Sequence, residues 1–364
     1  MLKKVLFFTN IPSPYRIDFF NDLSASVDLT VVFEGRRAHG ARFNWNDDQL
    51  KFKAVLLKDG EMNERKVDPQ IFRYVRRKDY DYIFFTNYGY YTELAALFLA
   101  KVKKIPYIQE FDGAVYKNES TMRKAGKSMI IRGANRYFSP NMLTDEVLGH
   151  YGVSKEKIYR YPFSSIREKD IRADVVTDAE KERLRTELGV REKRNIICVG
   201  QFIHRKGIDL LLKALPSVPG DVGVHIVGGQ ATGEYGALVR ENRLDNVHFV
   251  NFLNNNALNK YYDMADLFVL PTREDIWGLV VNEAMARGLP IITTDNCGAG
   301  VELVRDNGVI IPTESVDELA KAINNCISDK RLLSQMSAQS LKIIKAYTIE
   351  SMVKAHLAYF DADC

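Results

Sequence analysis

The sequence predicts an α/β chain folded as two doubly wound parallel sheets. Short apolar runs stopped by Gly, Pro or polar residues alternate with helical patterns in both halves, as when the strand at 5–9 is followed by a helix at 15–23; that alternation is the mark of βαβ units. At 364 residues the chain exceeds one typical core and suits two such domains. Residues 270–312 read as the end of a buried strand, a loop, a helix and a second strand, the unit from which such sheets are built.

Taken in order, strands are expected at residues 5–9, 29–33, 52–57, 82–85, 107–109 and 136–139, with a further helix at 93–102. The polar, basic stretch 34–50 reads as a mobile loop, and Tyr161-Pro162-Phe163-Ser164-Ser165 as a linker. This gives an N-terminal domain over 1–163 and a C-terminal domain over 164–345. The second sheet begins at 195–200 and continues through 224–227, 247–251, 265–270 and 291–294. A helix at 279–287 stops at Gly288-Leu289-Pro290, a clean C-terminal signal. Residues 296–300 read as a flexible loop, and helices from Val316 onward close the domain.

Composition excludes several classes. Hydrophobic content of 46% and charged content of 27% are those of a soluble globular protein, and the formal charge of +4 is mild. Basic residues are scattered and no nucleic-acid module appears. The four cysteines, Cys198, Cys297, Cys326 and Cys364, are widely spaced without a CxxC, which predicts reduced thiols in a cytosolic protein and no metal or disulfide framework; the six histidines are equally scattered. Met1 to Lys4 runs straight into a strand, so no signal peptide is read there, and no apolar run reaches the about 18 residues that span a bilayer.

The physics of the 270–312 unit points to an anion. A helix start leaves backbone N–H groups unpaired and carries partial positive charge. Gly278 lets a ligand approach, so a diphosphate can rest on the N–H groups of Gly278, Leu279 and Val280. Glu283 lies one turn further in and leans back toward the N-terminus, where its carboxylate can accept two hydrogen bonds from a ribose diol. An ordinary first-turn acid gives the same letter at that position. Asp275, in the preceding loop, is placed to hold hydroxyls of a transferred sugar.

The whole string resembles the signature of retaining glycosyltransferases of the GT-B fold, glycosyltransferase family 4: an acid, seven residues, then Glu, followed by Ala-Met-Ala and Gly-x-Pro. Here these are Asp275, Glu283, Ala284-Met285-Ala286 and Gly288-Leu289-Pro290. The family's first acid is usually Glu followed by Gly-Phe-Gly; here Asp275 precedes Ile276-Trp277-Gly278, which leaves Glu274 as a rival for that role. The resemblance implies two Rossmann-like domains facing across a cleft, the first binding the acceptor and the second the nucleotide sugar, with a C-terminal helix over 346–364 returning to the first. It places a cation after the first strand of the second domain. Lys206 matches; Gln201 stands where an Arg is expected, and Arg205 can supply that charge. Gly228-Gly229-Gln230 resembles the glycine turn below the nucleotide, and residues 247–253 are placed to flank the base. Glu302 reads equally as a group near the diphosphate or a helix cap.

In the first domain, two strand-end loops carry polar groups. Arg16, opening the first helix, can hold an acceptor phosphate or be a solvated first-turn Arg, and Asn87 follows a strand and is placed to line the cleft. A His usual in the family is replaced at Phe111-Asp112; Asp112 can orient the acceptor hydroxyl, contact the donor sugar, or simply cap its loop before Gly113. Residues 121–132 set Arg123, Lys124, Lys127 and Arg132 among Met122, Met129, Ile130 and Ile131, a basic amphipathic helix that can rest on anionic headgroups or cover a buried face. Asp79-Tyr80-Asp81 spells the DxD of metal-dependent glycosyltransferases, but acids between a basic segment and a strand commonly cap turns.

These readings imply transfer of a sugar from a nucleotide diphosphate sugar, a UDP-sugar first, to a hydroxyl of a glycan or lipid-linked glycan in surface polysaccharide synthesis. Asp112, Asp275 and Lys206 are the expected catalytic residues; Arg205, Lys206, Gly278, Leu279, Val280 and Glu283 hold the nucleotide. No cofactor and no metal is expected, and the protein is placed in the cytoplasm with peripheral contact to the inner face of the plasma membrane. A sugar-nucleotide isomerase or hydrolase of the same fold, or a non-catalytic nucleotide- or membrane-binding subunit, are the rival readings.

Overall fold

The computed structural model describes residues 2–37, 49–62, 65–76, 78–86 and 88–362. The chain divides into two compact units, Met1–Ser165 with Ile349–Cys364, and Ile166–Thr348. The junctions fall at 165/166 and 348/349, against the expected 163/164 and 345/346.

The first unit runs β1 (Lys4–Thr9), α1 (Pro14–Leu23), β2 (Asp28–Phe33), β3 (Lys53–Leu56), β4 (Tyr82–Phe85), α2 (Tyr91–Val102), β5 (Ile108–Glu110), α3 (Thr121–Ile131), β6 (Arg136–Ser139), α4 (Met142–His150) and β7 (Ile158–Arg160). Its seven strands are all parallel, in the order β3-β2-β1-β4-β5-β6-β7. β1 past its exposed Lys4, and all of β4, are continuous runs of buried residues, as a sheet covered on both faces requires. Phe7 of β1 stacks on Phe84 of β4 with ring centroids 4.3 Å apart. Most of the loop expected at 34–50 lies outside the described residues, as does Asn87.

The second unit runs α5 (Asp178–Leu188), β8 (Arg194–Val199), α6 (Ile208–Ala214), β9 (Val222–Val227), α7 (Gly233–Glu241), β10 (Val247–Val250), α8 (Asn255–Met264), β11 (Leu267–Leu270), α9 (Leu279–Ala286), β12 (Ile291–Thr294), α10 (Gly298–Leu303), β13 (Gly308–Ile311), α11 (Val316–Ser328) and α12 (Lys330–Ile344). Its six strands are also all parallel, ordered β10-β9-β8-β11-β12-β13. The core on one face is built from Ile196 and Cys198 of β8, Val224 and Ile226 of β9, and the apolar sides of α6 and α11. The last helix, α13 (Ile349–Ala362), belongs to the first unit, where Phe360 stacks on Tyr82 at 4.6 Å and His356 lies buried.

Several elements differ from the sequence reading, among them the helices α4, α7 and α8, for which it held no expectation. β7 and β13 were not expected; each has only three or four residues and is defined by its neighbour more than by its own composition. Residues 296–300, expected as a flexible loop, instead lead into α10, with Gly298, Ala299 and Gly300 buried. At Gly300 the small residue serves packing, since a Cβ there would lie 2.6 Å from Thr293 Cγ2.

Candidate functional site

In both sheets the connections diverge from a central strand pair, β1/β4 in the first and β8/β11 in the second. At such a switch point adjacent loops leave toward opposite faces and open a crevice at the carboxyl ends of the strands. In the second unit this crevice is bounded by the segments that follow β8 and β11, and these carry Arg205, Lys206, Asp275 and Gly278.

The two loops are tied together. Gly207 has φ +67°, and a Cβ there would sit 1.9 Å from the carbonyl oxygen of Pro271, so only glycine permits the approach. The Arg205 carbonyl accepts from the Arg273 N–H and the Thr272 hydroxyl, each at 2.8 Å. Arg273 donates both guanidinium nitrogens to Asp209 at the start of α6. Across this seam the Lys206 ammonium donates to the Asp275 carboxylate, with the Arg205 guanidinium 3.7 Å from the other oxygen of the same group. Asp275 is buried and Arg205 about half exposed. Asp275 is thus held by the two cations of the loop after β8, where the sequence alone had it free to meet sugar hydroxyls. Its neighbour Glu274 is half-buried and turns its backbone carbonyl to Arg205 at 3.2 Å.

Gly278 caps α9 with φ +97°, a left-handed conformation that favours glycine, and a Cβ would press on Cys297 Sγ at 3.0 Å. The N–H groups of the first turn, from Leu279 and Val280, have no acceptor inside the helix. Two residues that sequence reasoning missed fix this start. Trp277 is buried and donates its indole N–H to Asn282 Oδ1 at 2.7 Å, while its carbonyl accepts from the Ala299 N–H at 2.7 Å. The visible signal was the Ile276-Trp277 pair at the usual Gly-Phe position. One turn on, Glu283 accepts from the Tyr262 hydroxyl at 3.0 Å; burial pushes its carboxyl up to about 7, against the opposing pull of that hydrogen bond. Tyr262 comes from α8 and left no trace in the sequence pattern. Glu302 accepts from the Tyr347 hydroxyl at 2.8 Å.

The first unit contains a buried polar cluster at β5. Arg16, at the start of α1, is 2% exposed and donates to Glu110 and Asp112. The expectation that Arg16 reaches outward to an acceptor phosphate is therefore corrected: its guanidinium is buried and pairs with the buried Glu110 and the partly exposed Asp112. Asp112 also accepts from the Tyr15 hydroxyl at 2.8 Å, and Glu110 is joined at 2.8 Å by His356 Nε2 of α13. Burial alone would raise Glu110, but Arg16 and His356 bring it down to about 2. Burial and the charge of Glu110 hold Asp112 above its ordinary range in spite of Arg16, so Asp112 is the member of the pair that takes up a proton first. Elsewhere, Asp81 accepts from the Lys4 N–H at 2.8 Å, a strand-entry contact at the opposite end of the sheet from the switch-point loops.

On α3, Ser120 caps the N-terminus and Ile131 alone is buried, while Met122 and Met129 are 85% and 78% exposed. Lys127 is paired with Glu119 at 2.7 Å and Lys124 lies 3.5 Å from His150. Arg123 is exposed.

Residues 180–342 match the family model of glycosyl transferases group 1. The fold is that of the GT-B glycosyltransferases: the structure of HepE from Anabaena in complex with UDP and glucose superposes with a TM-score of 0.74 over 99% of each chain, at 18% identity. Among curated relatives, a lipopolysaccharide core biosynthesis mannosyltransferase of Rhizobium meliloti is 31% identical over 50% of this chain and 56% of its own length. A GDP-mannose-dependent phosphatidylinositol monomannoside mannosyltransferase of Mycobacterium tuberculosis is 30% identical over 50% of this chain and 51% of its own. The chain spans about half the length of the curated relatives it matches.

The buried cluster predicts a stability effect. Arg16→Met leaves the buried Glu110 with His356 alone and takes the cation from Asp112, and should destabilise the first unit by about 3 kcal/mol or more in urea melts; a loss below about 1 kcal/mol would mean that the Arg16–Glu110 pair is not buried as described. Because Glu110 is held below its ordinary value of 4.5, its contribution is complete above pH 4.5 and is lost as pH falls through about 2.

Proposed function

We propose that the protein transfers a sugar from a nucleotide diphosphate sugar to a hydroxyl of a glycan or lipid-linked glycan acceptor, with retention of anomeric configuration. The observation that carries this reading is the convergence, at one switch point, of Arg205, Lys206, the first turn of α9 and Glu283. Cations and unpaired N–H groups suit a diphosphate, and a carboxylate one turn inside suits a ribose diol. The glycosyl transferases group 1 match over residues 180–342 supports the same assignment.

In this mechanism the nucleotide's diphosphate displaces Asp275 from part of its hold on Lys206 and Arg205. The freed carboxylate then orients hydroxyls of the donor sugar, which gives Asp275 and not Glu274 the role of the first acid. As the glycosidic bond breaks, negative charge grows on the leaving diphosphate and is met by Lys206, Arg205 and the N–H groups of Leu279 and Val280, groups already in place. The acceptor attacks on the face the nucleotide leaves, and the departing phosphate takes its proton; no carboxylate nucleophile is assigned. Asp112 is the proposed group on the acceptor side. The diphosphate is neutralised by protein cations, so the reaction needs no metal. A UDP-sugar is the favoured donor, supported by the UDP in the Anabaena structure; GDP-mannose, named for the mycobacterial relative, is the runner-up.

A peripheral membrane contact on the cytoplasmic side fits α3. No helix among the described residues is long and apolar enough to cross a membrane. Exposed Met122 and Met129 beside Arg123 and Lys124 make the surface amphipathic, and the Glu119 pairing of Lys127 leaves it less cationic than the sequence suggested.

Three outcomes test these proposals. In thermal melts with EDTA, UDP or GDP and their sugars at about 100 times Kd should stabilise the protein by about 2.7 kcal/mol. Glu283→Ala should abolish that shift and Lys206→Met should cut kcat by about 10² to 10³; wild-type turnover in both variants would remove the assignment. Ribose hydrogen bonds require ionised Glu283, whose free carboxyl sits at about 7. Donor affinity should therefore weaken about tenfold per pH unit below 7, with proton release on binding seen by calorimetry in two buffers; an affinity flat from pH 8 to 6 would contradict the ribose contact. Met122→Ser with Met129→Ser should reduce binding to anionic vesicles and leave nucleotide binding intact, and unchanged vesicle binding would return α3 to an ordinary solvated helix.

A further inference from the structure

Outside the nucleotide crevice, the second unit brings together three metal-ligating side chains that the sequence scatters. His225 of β9 and His248 of β10 are register partners on neighbouring parallel strands, so both rings project from the same face. The rings stack at 4.8 Å with an interplanar angle of 20°. Glu192, just before β8, reaches the same place because Gly223 has no side chain: a Cβ there would meet Glu192 Cβ at 3.0 Å and Asn195 Oδ1 at 2.6 Å. One ligating atom from each of Glu192, His225 and His248 lies within 4.8 Å of the others.

We propose that Glu192, His225 and His248 form a zinc(II) site that fastens the edge strand β10 to β9 and to the segment entering β8. Two imidazoles and a carboxylate are a donor set that zinc accepts, with a fourth position left for water. The second sphere is already arranged. Asn195 Oδ1 lies 2.9 Å from His225 Nε2, and Asn195 is itself anchored by donating to the Glu192 carbonyl at 2.7 Å. This fixes the His225 ring and leaves its Nδ1 lone pair for the metal. Glu192 offers one oxygen to His248 Nε2 at 3.0 Å, while its other oxygen, Oε2, is buried without a hydrogen-bond partner. A buried carboxylate oxygen without a donor is costly, and a cation resolves it. Tetrahedral zinc with bonds of about 2.0 to 2.1 Å needs its ligand atoms about 3.3 Å apart. The His248 side chain, 41% exposed, has the freedom to close that gap. The site uses none of the residues assigned to sugar transfer, so it stands or falls separately from that reading.

The test uses the full chain without a histidine tag, stripped with EDTA and dialysed. Calorimetry with zinc chloride should show one site per chain, and melts should show zinc-dependent stabilisation that magnesium chloride does not give. Cobalt(II) should give the visible absorption of a four-coordinate site. His248→Ala, at a partly exposed position, and Glu192→Gln, nearly isosteric, should each weaken zinc binding at least tenfold and lose the cobalt spectrum. Absence of zinc binding to the wild-type chain, or equal binding by both variants, would overturn the proposal, the latter placing the ion on other histidines.

Discussion

The Lys206–Asp275 ion pair is the contact on which the candidate site depends. It joins the loop after β8 to the loop after β11 at the point where the sheet's connections part. A buried carboxylate needs a cation, and here the cation is one that a diphosphate would also claim. The backbone seam around it, with Gly207 against Pro271 and Arg205 accepting from the opposite loop, holds both partners whichever anion Lys206 serves. The crevice is therefore polar and charged as it stands, which is what the proposed function would ask of it. In the proposed transfer, once the diphosphate has taken the place of Asp275, cations held in this way would meet the charge of the leaving group where they stand.

Much of this was legible in the sequence, for identifiable reasons. Buried parallel strands read as short apolar runs, so β1, β4, β11 and β12 were visible with nearly their final bounds. Gly278 and Glu283 stand out by their place at a helix start, and Lys206 by its match to the pattern of the resembled family. What spacing cannot reveal is partnership. Arg16 looks like a surface cation because nothing in its neighbourhood announces Glu110 and Asp112, which lie 94 and 96 residues away along the chain. Tyr262 is invisible because its partner Glu283 lies on another helix, and the His225–His248 pair because parallel pairing makes neighbours of residues separated by a whole crossover. α10 was misread because glycine signals freedom in a sequence but can equally mark a place where two elements touch.

The first unit rests on a different balance. Arg16, Glu110 and His356 are buried among aromatic rings that include Phe7, Phe84 and Phe138, and Asp112 joins them from a partly exposed position. His356 Nδ1 faces the Met352 carbonyl and Nε2 faces the Glu110 carboxylate, two acceptors on opposite sides of one ring. Such a cluster contributes little net stability over an apolar core of equal volume, but its hydrogen bonds tie α1, β5 and α13 to one another. That arrangement sets where Tyr15 and Asp112 stand at the rim of the sheet.

The membership of α13 in the first unit also orders events in time. A ribosome delivers Met1–Ser165 first, then all of Ile166–Thr348, and only afterwards Ile349–Ala362. Until that last helix emerges, the faces of Phe84, Phe138 and Tyr82 lack their cover, and Glu110 lacks one of its two partners. The second unit has every strand of its sheet by residue 311 and can fold while the first waits. The half of the protein made first is thus the half finished last, its aromatic surface covered only when α13 arrives.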